Sequence, residues 1–153
     1  MKNIVQIWIA AMVIVPQFLG STNAAEEQAK LAASPKGYYA DLGWRTPAGV
    51  ANALEAAAKV LETDPEANIE FLVHGKDMRV FMEGAARRNP RLVALSERLA
   101  SSGAKFRVCD HALSFKGVGL DDFPNHFGTV DYVPDRVNEL KREGYSHLHE
   151  PPR

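Results

Sequence analysis

The chain has 153 residues, of which 46% are hydrophobic and 24% are charged, with a formal net charge of −1 at neutral pH. This composition is typical of a globular domain, and the small charge gives no indication of a nucleic-acid partner or an acidic membrane surface. Cys109 is the chain's single cysteine, which excludes an internal disulfide and a Cys-x-x-Cys-His haem attachment site.

The first 24 residues have the pattern of a secretory signal peptide. Lys2 supplies a positive start, residues 4–19 are mostly apolar, and small residues follow at positions 20–24. That order of regions is typical of a cleaved signal, and the apolar run is short for a membrane-spanning helix. We therefore expect removal of residues 1–24 and a periplasmic or secreted protein without membrane attachment. An uncleaved anchor is the alternative.

Residues 25–36 are polar and rich in alanine, and we expect them to form a flexible arm before a single domain at residues 37–150. Residues 37–43 indicate a weak first strand. Thr46 as N-cap and Pro47 at the first helical position predict a helix that ends at Asp64. An apolar run at residues 69–75 predicts a buried strand that is ended by glycine.

The second half of the domain continues the alternation of helices and strands. Short helical patterns are bounded by Pro or Gly, and apolar runs separate them. Helices are predicted at residues 77–83, 89–103 and 134–144, and strands at residues 104–109, 129–133 and 145–149. This alternation predicts an α/β protein with a mostly parallel sheet and helices on both of its faces.

Cys109 follows an apolar-alternating segment, so the sequence places its thiol at the carboxyl end of a strand. In an open α/β sheet this edge is where ligands and chemistry usually lie. The thiolate is the reactive form, and a helix starting directly after the strand favours it, as do positive charges on His111 and Lys116. The alternative is a buried, inert cysteine that acts as a small hydrophobic residue.

His74 ends the strand predicted at residues 69–75, so it belongs to the same sheet edge as Cys109. A cysteine and a histidine are the minimum for an activated nucleophile. The alternative is a histidine that only hydrogen-bonds the backbone at a strand end.

Histidines near the carboxyl terminus raise a third reading, a metal site. His147 and His149 are two residues apart, so in a strand both side chains point to one face, and His111, His126 and Cys109 are further candidate ligands. The spacing matches none of the compact zinc patterns. We therefore predict neither a metal nor another cofactor.

Five segments, in order, resemble one family. The longest carries the thiol, Gly-Ala-Lys-Phe-Arg-Val-Cys-Asp-His-Ala-Leu at residues 103–113. The other four lie at residues 69–75, 116–122, 130–140 and 143–148. With this series the chain resembles the DsrE/DsrF-like family, which includes the sulfur-relay subunits TusB, TusC and TusD and the YchN-like proteins.

The resemblance implies a single-domain, YchN-like three-layer fold and a homo-oligomer, a trimer or hexamer, with the thiol near a subunit boundary. It also implies that Cys109 carries a persulfide between donor and acceptor proteins or small thiols. It assigns no role to His74, His111 or Lys116, which remain candidates from the residues alone. The leading hypothesis is an exported sulfur carrier. The alternatives are a non-catalytic oligomeric binding module with a buried cysteine, and a periplasmic metal-binding protein.

Overall fold

The computed structural model describes residues 35–43, 45–76, 78–82, 84 and 87–148. Within them the protein is an α/β domain around one five-stranded sheet with the order β4-β3-β2-β1-β5, and every pairing is parallel. The predicted fold class is confirmed, and the sheet is parallel throughout rather than mostly so. The predicted signal peptide, the arm up to residue 34, and His149 lie outside the described residues.

The strands are short, and a helix follows each of the first four. The strands are β1 Gly37–Asp41, β2 Ile69–Val73, β3 Lys105–Cys109, β4 Phe127–Val130 and β5 Tyr145–His147. The helices are α1 Pro47–Thr63, α2 Met78–Phe81, α3 Pro90–Ser101, α4 Asp110–Lys116 and α5 Val133–Glu143, with a 3-10 turn at Leu120–Asp122.

The start of α1 follows from its first residues. The hydroxyl of Thr46 accepts a hydrogen bond from the Gly49 N–H at 3.2 Å, and Pro47 occupies the first helical position. The cap satisfies a backbone donor that has no partner within the helix. Val50 and Leu54, one turn apart, are fully buried, so α1 packs its apolar face onto the sheet.

The first face of the sheet carries the larger core, with side chains from α1, α2, α3 and α4. Phe71 and Phe106, paired on β2 and β3, stack with ring centroids 4.6 Å apart. Each buried ring removes a large apolar area from water. This core therefore fixes how β2 and β3 lie beside each other.

The second face carries α5 and a smaller cluster formed by Tyr39, Leu72, Cys109, Val133 and Leu140. Beside it, Arg136 on α5 donates two hydrogen bonds of 2.9 Å to the buried carboxylate of Glu70 on β2. Charge-assisted pairs of this geometry are strong and directional. They hold α5 against the strands that carry the site.

One predicted strand is misplaced. The sequence predicts a strand at residues 129–133, whereas β4 covers Phe127–Val130. Phe127 pairs with Phe106 and packs in the aromatic core, so the strand begins two residues earlier. Val133 starts α5, and Pro134 lies in its first turn, where the fixed φ of proline suits the helix. The chain therefore turns into a helix at the point where the sequence predicted the end of a strand.

Among the described residues, no helix combines the length and the apolar character needed to cross a bilayer.

Candidate functional site

The strand order creates a switch point beside β1. From β1 the chain builds outward through β2 and β3 to β4, and α5 then returns it to β5 on the other side of β1. In open α/β sheets, ligands bind outside the carboxyl ends of the strands next to such a point. At this edge Asp41 ends β1, His74 directly follows β2, and His147 ends β5.

Asp41 and His74 form a close pair. Nε2 of His74 lies 2.8 Å from Oδ1 of Asp41, and the Gly43 N–H donates to the same oxygen at 2.9 Å. Burial alone raises the pKa of the Asp41 carboxyl, but these hydrogen bonds and the positive charges of His74 and His147 outweigh it. The net pKa therefore lies below the ordinary 3.8, and the carboxylate is ionised at neutral pH.

The ionised carboxylate also determines which nitrogen of His74 carries the proton. A carboxylate only accepts hydrogen bonds, so Nε2 must be the donor to Asp41. In the neutral imidazole this leaves Nδ1 without a proton and able to accept one. The pair is thus a base whose orientation Asp41 fixes.

Two glycines let the His74 ring lie against the backbone of β1. A Cβ at Gly43 would collide with the His74 ring, and a Cβ at Gly75 would collide with the Gly43 carbonyl oxygen. Gly75 also has a φ of +65°, a conformation that other residues rarely adopt. Both positions therefore require glycine for the pair to form.

Cys109 is the last residue of β3, and the sheet register places it next to His74. Val73 pairs with Val108, so the two following residues lie side by side on strands about 4.8 Å apart. Side chains alternate along a strand, and Cys109 packs with Leu72 and Tyr39 on the second face. Asp41 ends β1 and His74 directly follows β2, so three neighbouring strands bring an Asp, a His and a Cys to the same edge of the sheet.

The thiol itself is turned away from His74. Cys109 is 4% exposed, and its Sγ donates a hydrogen bond to the Asp131 carbonyl oxygen at 3.8 Å. Within the described part of the chain no hydrogen bond joins Sγ to the imidazole. The direction of Sγ is set by rotation about the Cα–Cβ bond of Cys109, which has three staggered positions.

Helix α4 starts directly after Cys109, as the sequence predicts, but its amide groups do not contact the sulfur. Cys109 is the N-cap residue and its side chain makes no capping hydrogen bond. The His111 N–H instead donates at 3.3 Å to the Asp131 carbonyl that also accepts from Sγ. The exposed His111 ring lies edge-on to Tyr132, with centroids 5.7 Å apart. His111 therefore belongs to the rim of the site.

Lys116 lies at the opposite end of α4 from the thiol. The helix advances about 1.5 Å per residue, so its two ends are about 9 Å apart along the axis. The Lys116 side chain lines a separate cavity with Arg79 and Arg88. The structure therefore does not bring Lys116 together with Cys109 as the sequence suggests.

The histidines of the metal alternative are also divided. His126 packs against Phe106 and Phe127 and hydrogen-bonds Ser96 at 3.0 Å, which places it on the opposite face of the sheet from Cys109. His147 lies edge-on to Tyr39, with ring centroids 5.1 Å apart. The described residues contain no group of three potential metal ligands.

Sequence reasoning missed two residues of the site, Asp41 and Asp131. Asp41 lies within the first predicted strand, residues 37–43, two residues before Gly43, and His74 lies directly before Gly75. A polar residue followed by glycine at the end of a predicted strand is the signal that could have identified Asp41. Asp131 acts through its backbone carbonyl, which leaves no side-chain signal.

Comparison with known proteins supports the fold and gives no information on function. The chain matches no protein-family model and no curated protein. It is similar to the solved structure of a protein of unknown function, MTH1491 from Methanobacterium thermoautotrophicum, with a TM-score of 0.61 and 14% identity. The match covers 72% of this chain and 94% of the archaeal chain. At this identity the likeness shows a shared fold and nothing about activity.

Proposed function

We propose that this protein is a sulfur carrier that holds sulfane sulfur on Cys109, with His74 as the proton acceptor and Asp41 as the residue that positions His74. The observation that supports it most is the row of Asp41, His74 and Cys109 on neighbouring strands at the sheet edge beside the switch point. A nucleophile, a base and a group that orients the base are the elements of nucleophilic catalysis by a thiol.

The transfer needs no oxidant. Nδ1 of His74 takes the thiol proton, and the Cys109 thiolate attacks the terminal sulfur of a perthiol donor, R–S–SH. A new S–S bond forms at Cys109 while the donor S–S bond breaks, and the leaving thiolate R–S⁻ takes the proton back from His74. The products are Cys109–S–SH and R–SH. The same exchange in reverse, with an acceptor thiol, delivers the sulfur.

The burial of Cys109 restricts which donors reach it. A thiol on a residue that is only 4% exposed admits a narrow, unbranched group such as a perthiol or polysulfide end more readily than a bulky one. The rim residue next to Asp131 is Tyr132, which is itself 46% exposed and is free of core packing. A small movement of this rim and rotation of the thiol open the sulfur to such a donor.

The experiment exposes the protein to a small persulfide or polysulfide donor and follows it by intact mass. The carrier function predicts one added sulfur atom on the wild type, removed by a reductant, and no addition to Cys109→Ser. His111→Gln serves as a control because it alters a rim histidine without touching the Asp41–His74 pair. A wild type that gains no sulfur, or a Cys109→Ser variant that still gains it, would sink the proposal.

A second candidate is a non-catalytic binding module in which the cysteine is structural. It is favoured by the low exposure of Cys109 and by the packing of its side chain with Val133 and Leu140. It predicts that iodoacetamide alkylates Cys109 only after denaturation. Alkylation of the native protein at a rate near that of a free thiol would exclude it.

The carrier proposal includes export and assembly. Residues 1–24 support a periplasmic or secreted location, and the family resemblance supports a homo-oligomer, a trimer or hexamer. The mass of the protein recovered from the exported fraction tests the first, because cleavage removes the first 24 residues. Light scattering of that mature protein tests the second, and a monomer would contradict it.

A further inference from the structure

A cavity of about 400 Å³ lies apart from Asp41, His74 and Cys109, none of which lines it. It is formed where the connection after β2 meets the end of α4. Its lining residues are Arg79, Met82, Gly84, Arg88, Lys116 and Val118. A volume of this size is within the range of small-molecule sites.

The cavity brings together three positive charges. Arg79, Arg88 and Lys116 line it, and its described lining contains no acidic residue. None of the three side chains has an ion pair or hydrogen bond with another residue of the described ranges, whereas Arg91 and Arg136 pair with glutamates. Like charges that converge repel one another, and with no counter-charge among the described lining residues a bound anion relieves that repulsion.

The chemistry of the lining indicates the kind of anion. Arginine presents a planar fork of donors that matches the oxygens of a phosphate group, and lysine adds a point charge. Met82 and Val118 supply an apolar surface beside these cations, and methionine adapts its shape to an apolar group. Three cations favour an anion with two charges over a single carboxylate.

We propose that this cavity binds a small phosphate monoester with a short apolar portion, the phosphate held by Arg79, Arg88 and Lys116 and the apolar portion by Met82 and Val118. The site is independent of sulfur transfer at Cys109, so it stands or falls on its own test. Lys116 is too far from the thiol of Cys109 to act in sulfur transfer, and this cavity gives it a role in binding an anion.

Calorimetric titration of the protein with phenyl phosphate tests this proposal, with inorganic phosphate and phenol as probes of the charge and the ring alone. Phenyl phosphate is expected to bind more tightly than either. Lys116→Gln and Arg88→Gln are each expected to weaken its binding by about tenfold, as expected for loss of one charge-assisted hydrogen bond. Neither residue is in the hydrophobic core, and thermal unfolding checks that both variants fold.

Lys141→Gln is the matched control, because Lys141 is an exposed lysine on α5 away from the cavity. It is expected to leave the dissociation constant for phenyl phosphate unchanged. The proposal is overturned if the wild type shows no saturable binding, or if folded Lys116→Gln and Arg88→Gln bind as the wild type does. It is also overturned if Lys141→Gln weakens binding as much as they do, or if inorganic phosphate or phenol binds equally well.

Discussion

Replacing Arg136 by alanine removes the cation that pairs with Glu70 beneath α5. Glu70 is 4% exposed, and both of its carboxylate oxygens accept hydrogen bonds of 2.9 Å from Arg136. Those hydrogen bonds, chiefly, raise the pKa of Arg136 above its ordinary value. In Arg136→Ala the carboxylate remains buried without its partner.

The size of the effect follows from this geometry. Removing one partner of a buried ion pair costs about 3–5 kcal/mol. The side chain of Arg136 is 24% exposed, so water enters part of the space that it leaves. We therefore expect a loss near the lower end, about 3 kcal/mol in the free energy of unfolding and about 10 °C in Tm.

Urea denaturation of the wild type and the variant measures this loss. Arg142→Ala is the control, because Arg142 lies on the same helix, is exposed, and within the described part of the chain donates only to the Asn138 carbonyl. We expect a change below about 0.5 kcal/mol. A double variant with leucine at Glu70 and Arg136 should recover most of the stability, since no buried charge remains. The reasoning fails if Arg136→Ala costs less than about 1 kcal/mol, or if the double variant is as unstable as the single one.

Three further predictions concern the sheet edge and the response to acid. Gly43→Ala places a methyl group where the His74 ring lies, so we expect slower sulfur loading with an unchanged circular dichroism spectrum. Gly119→Ala, whose methyl group makes only an ordinary contact with the Asp121 backbone at 3.8 Å, should load at the wild-type rate; equal rates in the two variants would contradict this. Burial lowers the pKa of His126 despite the opposing charge of Glu97, so the unfolded state takes up a proton first and stability falls as the pH drops below 6.5. In urea titrations His126→Gln should not show this loss of stability below pH 6.5. If the loss persists, His126 is not its cause. The pKa of Asp41 is lowered, so its carboxylate stabilises the fold above pH 3.8 and loses that effect below it. In urea titrations Asp41→Asn should therefore lose less stability in that acid range than the wild type does. An equal loss would count against the Asp41–His74 pair.

Local sequence patterns predicted the helices and strands, because neighbouring residues determine where these begin and end. Thr46 and Pro47 begin a helix through a cap and a restrained φ, and the apolar run at residues 69–75 is a buried strand with a glycine after it. The limits of β4 were predicted wrongly because Phe127 belongs to the strand through its packing on Phe106. That contact joins residues from different strands and has no signature in either segment.

The site was predictable only in part for the same reason. The sequence placed Cys109 and His74 at strand ends, and the strand order then determines that β2 and β3 are neighbours. The contact of His74 with Asp41 joins residues 33 positions apart, so it depends on β1 lying beside β2. Lys116 was expected near the thiol from its position in the chain, but the length of α4 separates them.

The most direct test of the sulfur-carrier account is the rate at which Cys109 takes up sulfur from a small perthiol in wild-type and His74→Gln protein at neutral pH. An ordinary thiol is only a few per cent thiolate there, so a base that takes its proton raises the rate by about tenfold or more. The account predicts that wild type loads one sulfur and that His74→Gln, with an unchanged circular dichroism spectrum, loads it slower by that factor. Equal rates in the two proteins would remove His74 from the mechanism, and no loading in the wild type would contradict the account altogether.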